Sequence, residues 1–273
     1  MFLATKARFG TGPDVNEVGN SRRNLSRALA ASLTRLGREN IDLYQLHGWD
    51  PLTPIGETLR DDAVRAGKIT YIGLSNFTGW QMQLAISTAR AAGLHVPVTL
   101  QPQYSLVSRE IEFEIVPAAL HDGIGLLPWS PLAAGFLSGK YKRDEKAPSD
   151  ARGGSGNPMN DYIFGDLAAK ELNWDTLDTV RAIAGQIGAT PAQVAYSWVI
   201  NRPGVTAPIA GARTLAQLES NLVAADLDLG DDATRRLDAV SAPRPNDYPH
   251  GPFGVKQRDR YVGSSEQAIS ELY

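Results

Sequence analysis

Short apolar runs that alternate with helix-like segments are the feature that most constrains how this chain can fold. The first five runs follow one another at intervals of about 25–40 residues, as repeated βα units require. A sixth run comes later, whereas a closed TIM-type (β/α)8 barrel has eight strands. We therefore predict an α/β fold, a partial barrel with parallel strands at residues 2–5, 41–46, 69–74, 98–100, 124–127 and 205–209.

The composition excludes several classes of protein. A formal charge of −3 offers no basic surface for nucleic acid or an anionic membrane. The absence of cysteine excludes disulfides and thiolate metal ligands, and no metal site is predicted. No apolar run approaches the ~18 residues that a membrane span needs, and the chain starts with too much charge for a signal peptide. We expect a cytoplasmic protein with a single domain over residues 1–273.

Helix signals fill the segments between the strands. Ser21 is a typical N-cap for a helix over residues 22–36, where leucines recur at helical spacing, and Gly37 is a typical stop. Pro54 predicts the start of the next helix and Gly67 its end. Further helices are predicted at residues 78–92, 112–121, 174–188, 191–201, 214–224 and 231–241.

The regular alternation breaks at residues 140–170, which are polar and rich in glycine. A structureless segment of this length is typical of a lid over a site or of a surface loop, and both interpretations stay open. Residues 242–273 form a tail rich in proline, glycine and aromatic residues.

Polar side chains stand where five of the strands end. Because the carboxyl ends of barrel strands share one rim, we expect these side chains to converge on one pocket. A solvated lysine, a structural histidine and a core tryptophan are the alternatives for three of them. The amide and hydroxyl groups suit a planar ring with a carboxamide, which the indole could stack on. The residues are Lys6, His47, Ser75, Asn76, Gln101, Trp129 and Ser130.

The last strand leads through a small-residue turn, PIAGART at 208–214, into a helix start. Thr214 and Gln217 form a T-x-x-Q capping box. A helix N-terminus after the last barrel strand is a typical phosphate site, and Arg213 could bind the phosphate through two hydrogen bonds. A capped surface helix with an exposed arginine is the alternative.

Six sequence blocks together resemble the aldo-keto reductase superfamily over residues 2–248. They are FLATK (2–6), SLTRLGRENIDLYQLHGWD (32–50), IGLSNF (72–77), QPQYSL (101–106), LLPWSPLAAGFLSGKY (126–141) and PIAGARTLAQLESNL (208–222). The resemblance implies a barrel that reduces small aldehydes or ketones by hydride transfer from NADPH. It implies that His47 orients the carbonyl and that Lys6 lowers the pKa of a proton-donating tyrosine.

The resemblance also implies a set of cofactor contacts. Ser75, Asn76 and Gln101 would bind the nicotinamide, with Trp129 stacked on its ring. The other implied contacts are Ser130, Leu132 and Lys140 on the pyrophosphate side, Gly211 in the turn with Arg213 at the 2′-phosphate, Gln217 and Asn221 near the adenine, and Arg152 in a belt over the cofactor.

One departure from the family pattern affects the expected activity. The family's tyrosine and aspartate lie upstream of the lysine, and only five residues precede Lys6. We therefore expect the first two βα units to be absent. Three explanations stay open: Met1 is internal to a longer product, a partner completes the barrel, or the chain is a weakly active remnant. Unpaired strand edges favour a homodimer or a rearranged closure. The alternative functions are an NADP-binding regulatory module and an aldolase with a Schiff-base Lys6.

Overall fold

The chain falls into two compact units in a computed structural model that describes residues 1–59, 62–149, 151–246 and 248–258. The first unit comprises Met1–Tyr104, Glu114–Pro131 and Val199–Leu218. The second unit comprises Ser105–Phe113, Leu132–Trp198 and Glu219–Tyr273. The prediction of a single domain stays a prediction, and residues 259–273 of the expected tail lie outside the described residues.

Five parallel strands form one sheet in the first unit, in the order in which they occur along the chain. They are β1 (Ala4–Ala7), β2 (Ile41–Leu46), β3 (Ile69–Ser75), β4 (Thr99–Gln101) and β5 (Gly125–Leu126). Sequential order is that of a barrel wall, whereas a doubly wound sheet reverses its strand order. The α/β fold is thus confirmed and is consistent with a TIM-type barrel. The absence of the first two βα units stays a prediction.

The prediction of a sixth strand at residues 205–209 is wrong, because this segment does not form a continuous ladder. The segment makes one parallel bridge with Leu126, to which the N–H group of Thr206 donates at 2.9 Å. A regular ladder would next use the N–H group of residue 208, but Pro208 has none. Ile209 donates instead, to a carbonyl group just after β5, so the pairing slips by one residue.

Helical segments lie between and after the strands along the chain. Among the described residues they are α1 (Arg22–Leu36), α2 (Ile55–Thr58), α3 (Asp62–Arg65), α4 (Gly79–Ala91), α5 (Ile115–Asp122), α6 (Pro158–Ala168), α7 (Glu171–Ile187), α8 (Pro191–Ile200), α9 (Leu215–Leu222), α10 (Gly230–Val240) and α11 (Pro252–Arg258). The bounds of α1 are those predicted, because the Ser21 hydroxyl accepts the N–H group of Asn24 and Gly37 ends the helix with φ 61°.

Two helix predictions need correction. The helix predicted from Pro54 to Gly67 is two short helices, α2 and α3, and residues 60 and 61 between them lie outside the described residues. The segment 140–170 is not structureless, since it contains α6. Asn157 accepts two N–H groups of the first turn of α6, and Pro158 occupies the position where its missing N–H group costs nothing.

The two faces of the sheet differ in character. Leu46, Leu74, Leu100 and Leu126 lie in register across β2 to β5, and each is at most 3% exposed. This leucine row belongs to one core cluster with side chains of α4 and α5. Because side chains alternate along a strand, the neighbouring residues point to the opposite face. That second face contains the candidate site.

Candidate active site

The second face of the sheet is lined by polar and small residues. Lys6, Gln45, Gly73 and Thr99 lie in register across β1 to β4. A methyl group on Gly73 would lie 2.6 Å from the Thr99 hydroxyl oxygen, so this level of the face is already filled. Other candidate side chains, such as Ser75, Gln101 and His47, lie further along the strands, at or just after their carboxyl ends.

Buried hydrogen bonds join the side chains at those ends. Lys6 Nζ donates to Gln101 Oε1, and Gln101 Nε2 donates to Gln45 Oε1 at 3.4 Å. Ser75 Oγ donates to the carbonyl oxygen of Gln101 at 3.0 Å. Burial lowers the pKa of Lys6. Both functional ends of the Gln101 amide are thus occupied by the protein itself.

Asn76 connects this group to two further candidates. Its Nδ2 donates to the carbonyl oxygen of His47 at 3.0 Å, and its Oδ1 accepts from Trp129 Nε1 at 2.9 Å. Asn76 and Ser130 have left-handed backbones, with φ of 55° and 57°. This backbone conformation is uncommon in residues other than glycine, and residues that adopt it concentrate at functional sites.

We call Lys6, Ser75, Asn76, Gln101 and Trp129 the rim set. The structure brings these five predicted residues together, and His47 joins them through its backbone. Their catalytic and cofactor-binding roles stay predictions.

His47 follows β2 directly, and its imidazole is packed by the segment after β1. The backbone N–H group of His47 donates to the carbonyl oxygen of Ala7 at 2.9 Å. The ring of Phe9 meets the imidazole edge to face with centroids 4.6 Å apart. Burial lowers the pKa of His47, and the charges of Lys6 and Arg8 lower it further. At neutral pH the imidazole is therefore uncharged, with one donor and one acceptor nitrogen.

The segment after β1 is a closed loop, residues 9–18. Its base is closed by the N–H group of Gly19, which donates to the carbonyl oxygen of Arg8 at 2.8 Å. The Asp50 carboxylate accepts the N–H group of Asn20 at 2.7 Å. Burial opposes ionisation of Asp50, but hydrogen bonds led by that of Asn20 keep its pKa below the ordinary value. Asp50 therefore holds the end of the closed loop as an ionised carboxylate.

Sequence reasoning missed a role for Arg8, Phe9 and Asp50. Arg8 and Phe9 follow Lys6 by two and three residues, and Asp50 follows His47 by three. The residues just after each strand end were thus the signal that could have identified them, because barrel rims are built from such segments.

The predicted phosphate turn is exposed and only partly organised as expected. Gln217 donates its N–H group to the Thr214 hydroxyl at 3.2 Å, which is one half of the predicted capping box. The other half is wrong, because Gln217 Oε1 accepts the N–H group of Arg213 at 2.9 Å. Gly211 and its neighbours up to Leu215 are exposed. Gln217 therefore stabilises the turn beside Arg213.

Four further predicted residues belong to the second unit. Leu132 precedes the 3-10 helix Ala133–Ser138, and its carbonyl oxygen accepts the N–H group of Gly135 at 2.9 Å. Lys140 is exposed, and Asn221 is half-buried on α9. Arg152 begins another 3-10 helix. Their proposed cofactor contacts stay predictions.

The described residues offer neither a metal-binding cluster nor a membrane-spanning helix. They include no group of three or more His, Asp or Glu side chains suited to a metal ion. No helix within the described ranges is long and apolar enough to cross a membrane.

Comparison with known proteins gives consistent matches. The model of the aldo/keto reductase family matches residues 1–242. "Uncharacterized oxidoreductase YrpG" of Bacillus subtilis (strain 168) is 36% identical over 88% of this chain and 72% of its own length. A "Probable voltage-gated potassium channel subunit beta" of Arabidopsis thaliana is 36% identical over 83% of this chain and 69% of its own. "L-glyceraldehyde 3-phosphate reductase" of Escherichia coli (strain K12) is 31% identical over 82% and 64%, respectively.

Proposed function

This chain belongs to the aldo/keto reductase family, a family of oxidoreductases, and we propose that it transfers hydride between NADP(H) and a small aldehyde or ketone. The observation that supports this proposal best is the rim set, whose side chains are joined by hydrogen bonds beside His47. Ordered polar groups of this kind favour a defined reaction geometry over loose binding.

The side chains of the site suit a nicotinamide nucleotide and a carbonyl compound. Bound NADPH would supply the hydride. Asn76 fixes the Trp129 indole, which is half-buried and can stack on a planar ring. The neutral imidazole of His47 can donate a hydrogen bond to a carbonyl oxygen and orient it. The ammonium of Lys6 favours an ionised phenol nearby. We assign Arg213 to the 2′-phosphate, which distinguishes NADP from NAD.

We further propose that residues 1–273 alone reduce carbonyl compounds slowly. The family resemblance places the tyrosine and aspartate of the tetrad upstream of Lys6. The described Lys6 contact is to the neutral amide of Gln101. A chain that has the lysine and histidine without the tyrosine should bind NADPH yet lack the efficient proton donor.

The test is NADPH titration together with 4-nitrobenzaldehyde turnover by the 273-residue chain. We expect NADPH binding with turnover far below the ~1–10³ s⁻¹ of ordinary enzymes. Lys6→Met should lower residual turnover, whereas Lys68→Met, at an exposed lysine, should not. Turnover at ordinary rates would refute the need for an upstream acid, and absence of NADPH binding would refute the proposed function.

An NADP-binding regulatory module is the second candidate, favoured by the relative named as a potassium channel subunit beta. Tight nucleotide binding with no turnover across pH 5–9 would support this module. If Lys6 instead forms a Schiff base, adding borohydride together with a carbonyl compound should label Lys6 covalently. The cytoplasmic location and the homodimer stay predictions.

A further inference from the structure

Arg8 is a cation held beside the candidate carbonyl site. Its Nε donates to the carbonyl oxygen of Trp49 at 3.0 Å. Its guanidinium carbon lies 5.2 Å from the centroid of the Phe9 ring, whose edge-to-face partner is the imidazole of His47. The guanidinium and the imidazole proposed to orient the carbonyl are therefore neighbours of the same aromatic ring.

The bond to Trp49 fixes the direction of the guanidinium but uses only Nε. Within the described ranges, the two terminal nitrogens of Arg8 make no hydrogen bond and no ion pair. The carboxylate of Asp50 acts on Arg8 electrostatically, but its oxygens accept hydrogen bonds from Asn20, Leu52 and Thr53. Arg8 is half-buried, so its terminal nitrogens are preorganised donors with partial exclusion of water.

We propose that Arg8 binds an acidic group of the substrate, so that the preferred substrate is a small aldehyde or ketone that also bears a carboxylate or phosphate. Paired guanidinium nitrogens match the two oxygens of such groups. The positive charge of Lys6 adds to the attraction for an anion. Phe9, which is 56% exposed and neighbours both Arg8 and His47, would pack against the apolar part of such a substrate. This inference rests on the proposed function.

The kinetic test compares 4-carboxybenzaldehyde with methyl 4-formylbenzoate, which has the same ring and carbonyl but no charge. We expect kcat/KM to favour the acid by about 10-fold or more, mainly through KM, since hydrogen bonds between charged groups have that strength. In Arg8→Gln the ratio of acid to ester should fall towards 1. Arg235→Gln, at an exposed arginine of the second unit, should leave the ratio unchanged.

A binding test covers the case of slow turnover. Calorimetry on protein saturated with NADP⁺ compares 4-(hydroxymethyl)benzoate with its methyl ester, and the acid should bind about 10-fold more tightly. This comparison in the unaltered protein does not depend on how well Arg8→Gln folds. Equal affinity and equal kcat/KM for acid and ester would overturn the role of Arg8 while leaving the proposed function intact. If neither alcohol binds and neither aldehyde is reduced, the proposed function fails as well.

Discussion

The rim set and the turn at residues 208–214 are both assigned to the same cofactor, but they are built in different ways. In the rim set, Gln101 is 4% exposed and each side chain bonds to a neighbour or to backbone. In the turn, the residues around Arg213 are exposed, and Gln217 accepts the N–H group of Arg213. The rim set is thus anchored by the buried Ser75 and Gln101, whereas the turn is a surface feature.

This difference indicates that the two ends of the cofactor site would respond differently to mutation. A change in the rim set should lower folding stability and, under the proposed function, nucleotide affinity together, because the same hydrogen bonds would order the groups that contact the nucleotide. A change in the turn should lower affinity alone, since surface substitutions usually alter stability by less than about 0.5 kcal/mol.

Gln101→Ala should give the largest effect. It removes the acceptor of Lys6 and the donor to Gln45, which leaves a partly buried ammonium unpaired. We expect a loss of about 3 kcal/mol in the free energy of unfolding, measured by urea denaturation, and weaker NADPH binding. Gln103→Ala, at an exposed glutamine, is the matched control. If Gln101→Ala unfolds at the same urea concentration as the unaltered protein, the proposed difference between the rim set and the turn is refuted.

Arg213→Ala should come next, with an effect on affinity and none on stability. Loss of hydrogen bonds to a phosphate should weaken NADPH binding by about 10–100-fold and NADH binding by less than about 2-fold. Fluorescence titration with both nucleotides measures this, and Arg235→Ala serves as the control. Similar losses for NADPH and NADH would contradict the assignment to NADP.

The pH dependence contributed by His47 should be the smallest effect. Its pKa is lowered in the folded protein by burial and by Lys6 and Arg8. As the pH falls below about 6.5, the unfolded chain gains a proton that the folded protein resists, so stability should decline. His47→Asn should flatten the stability profile between pH 7 and 5, whereas His121→Asn, at an exposed site, should keep its slope. An unchanged slope in His47→Asn would show that the protonated form of His47 is not disfavoured in the folded protein.

Local signals allowed parts of the fold to be predicted from sequence. The bounds of α1 were predictable because Ser21, the spaced leucines and Gly37 all act within the helix itself. The strand order predicted which residues meet at the rim, since parallel strands place their carboxyl ends together. In segment 140–170, the Asn157–Pro158 helix start was overlooked because the surrounding glycines favoured a loop.

Long-range pairings could not be predicted in the same way. Gln101 was expected to offer its amide to nicotinamide, yet its partners Lys6 and Gln45 lie 95 and 56 residues away. The contact of Phe9 with His47, 38 residues further along the chain, likewise depends on how the segment after β1 packs against the end of β2. Such contacts follow from tertiary structure, and no spacing in the sequence indicates them.

Because the closed loop is fastened at Gly19 and again at Asn20, its middle can change without loosening either strand. Grafting a few residues between Gly10 and Val15 would change the loop that carries Phe9 against the imidazole, while the ammonium and imidazole stayed in place. Selection for new substrates could therefore act on this stretch at little cost to folding.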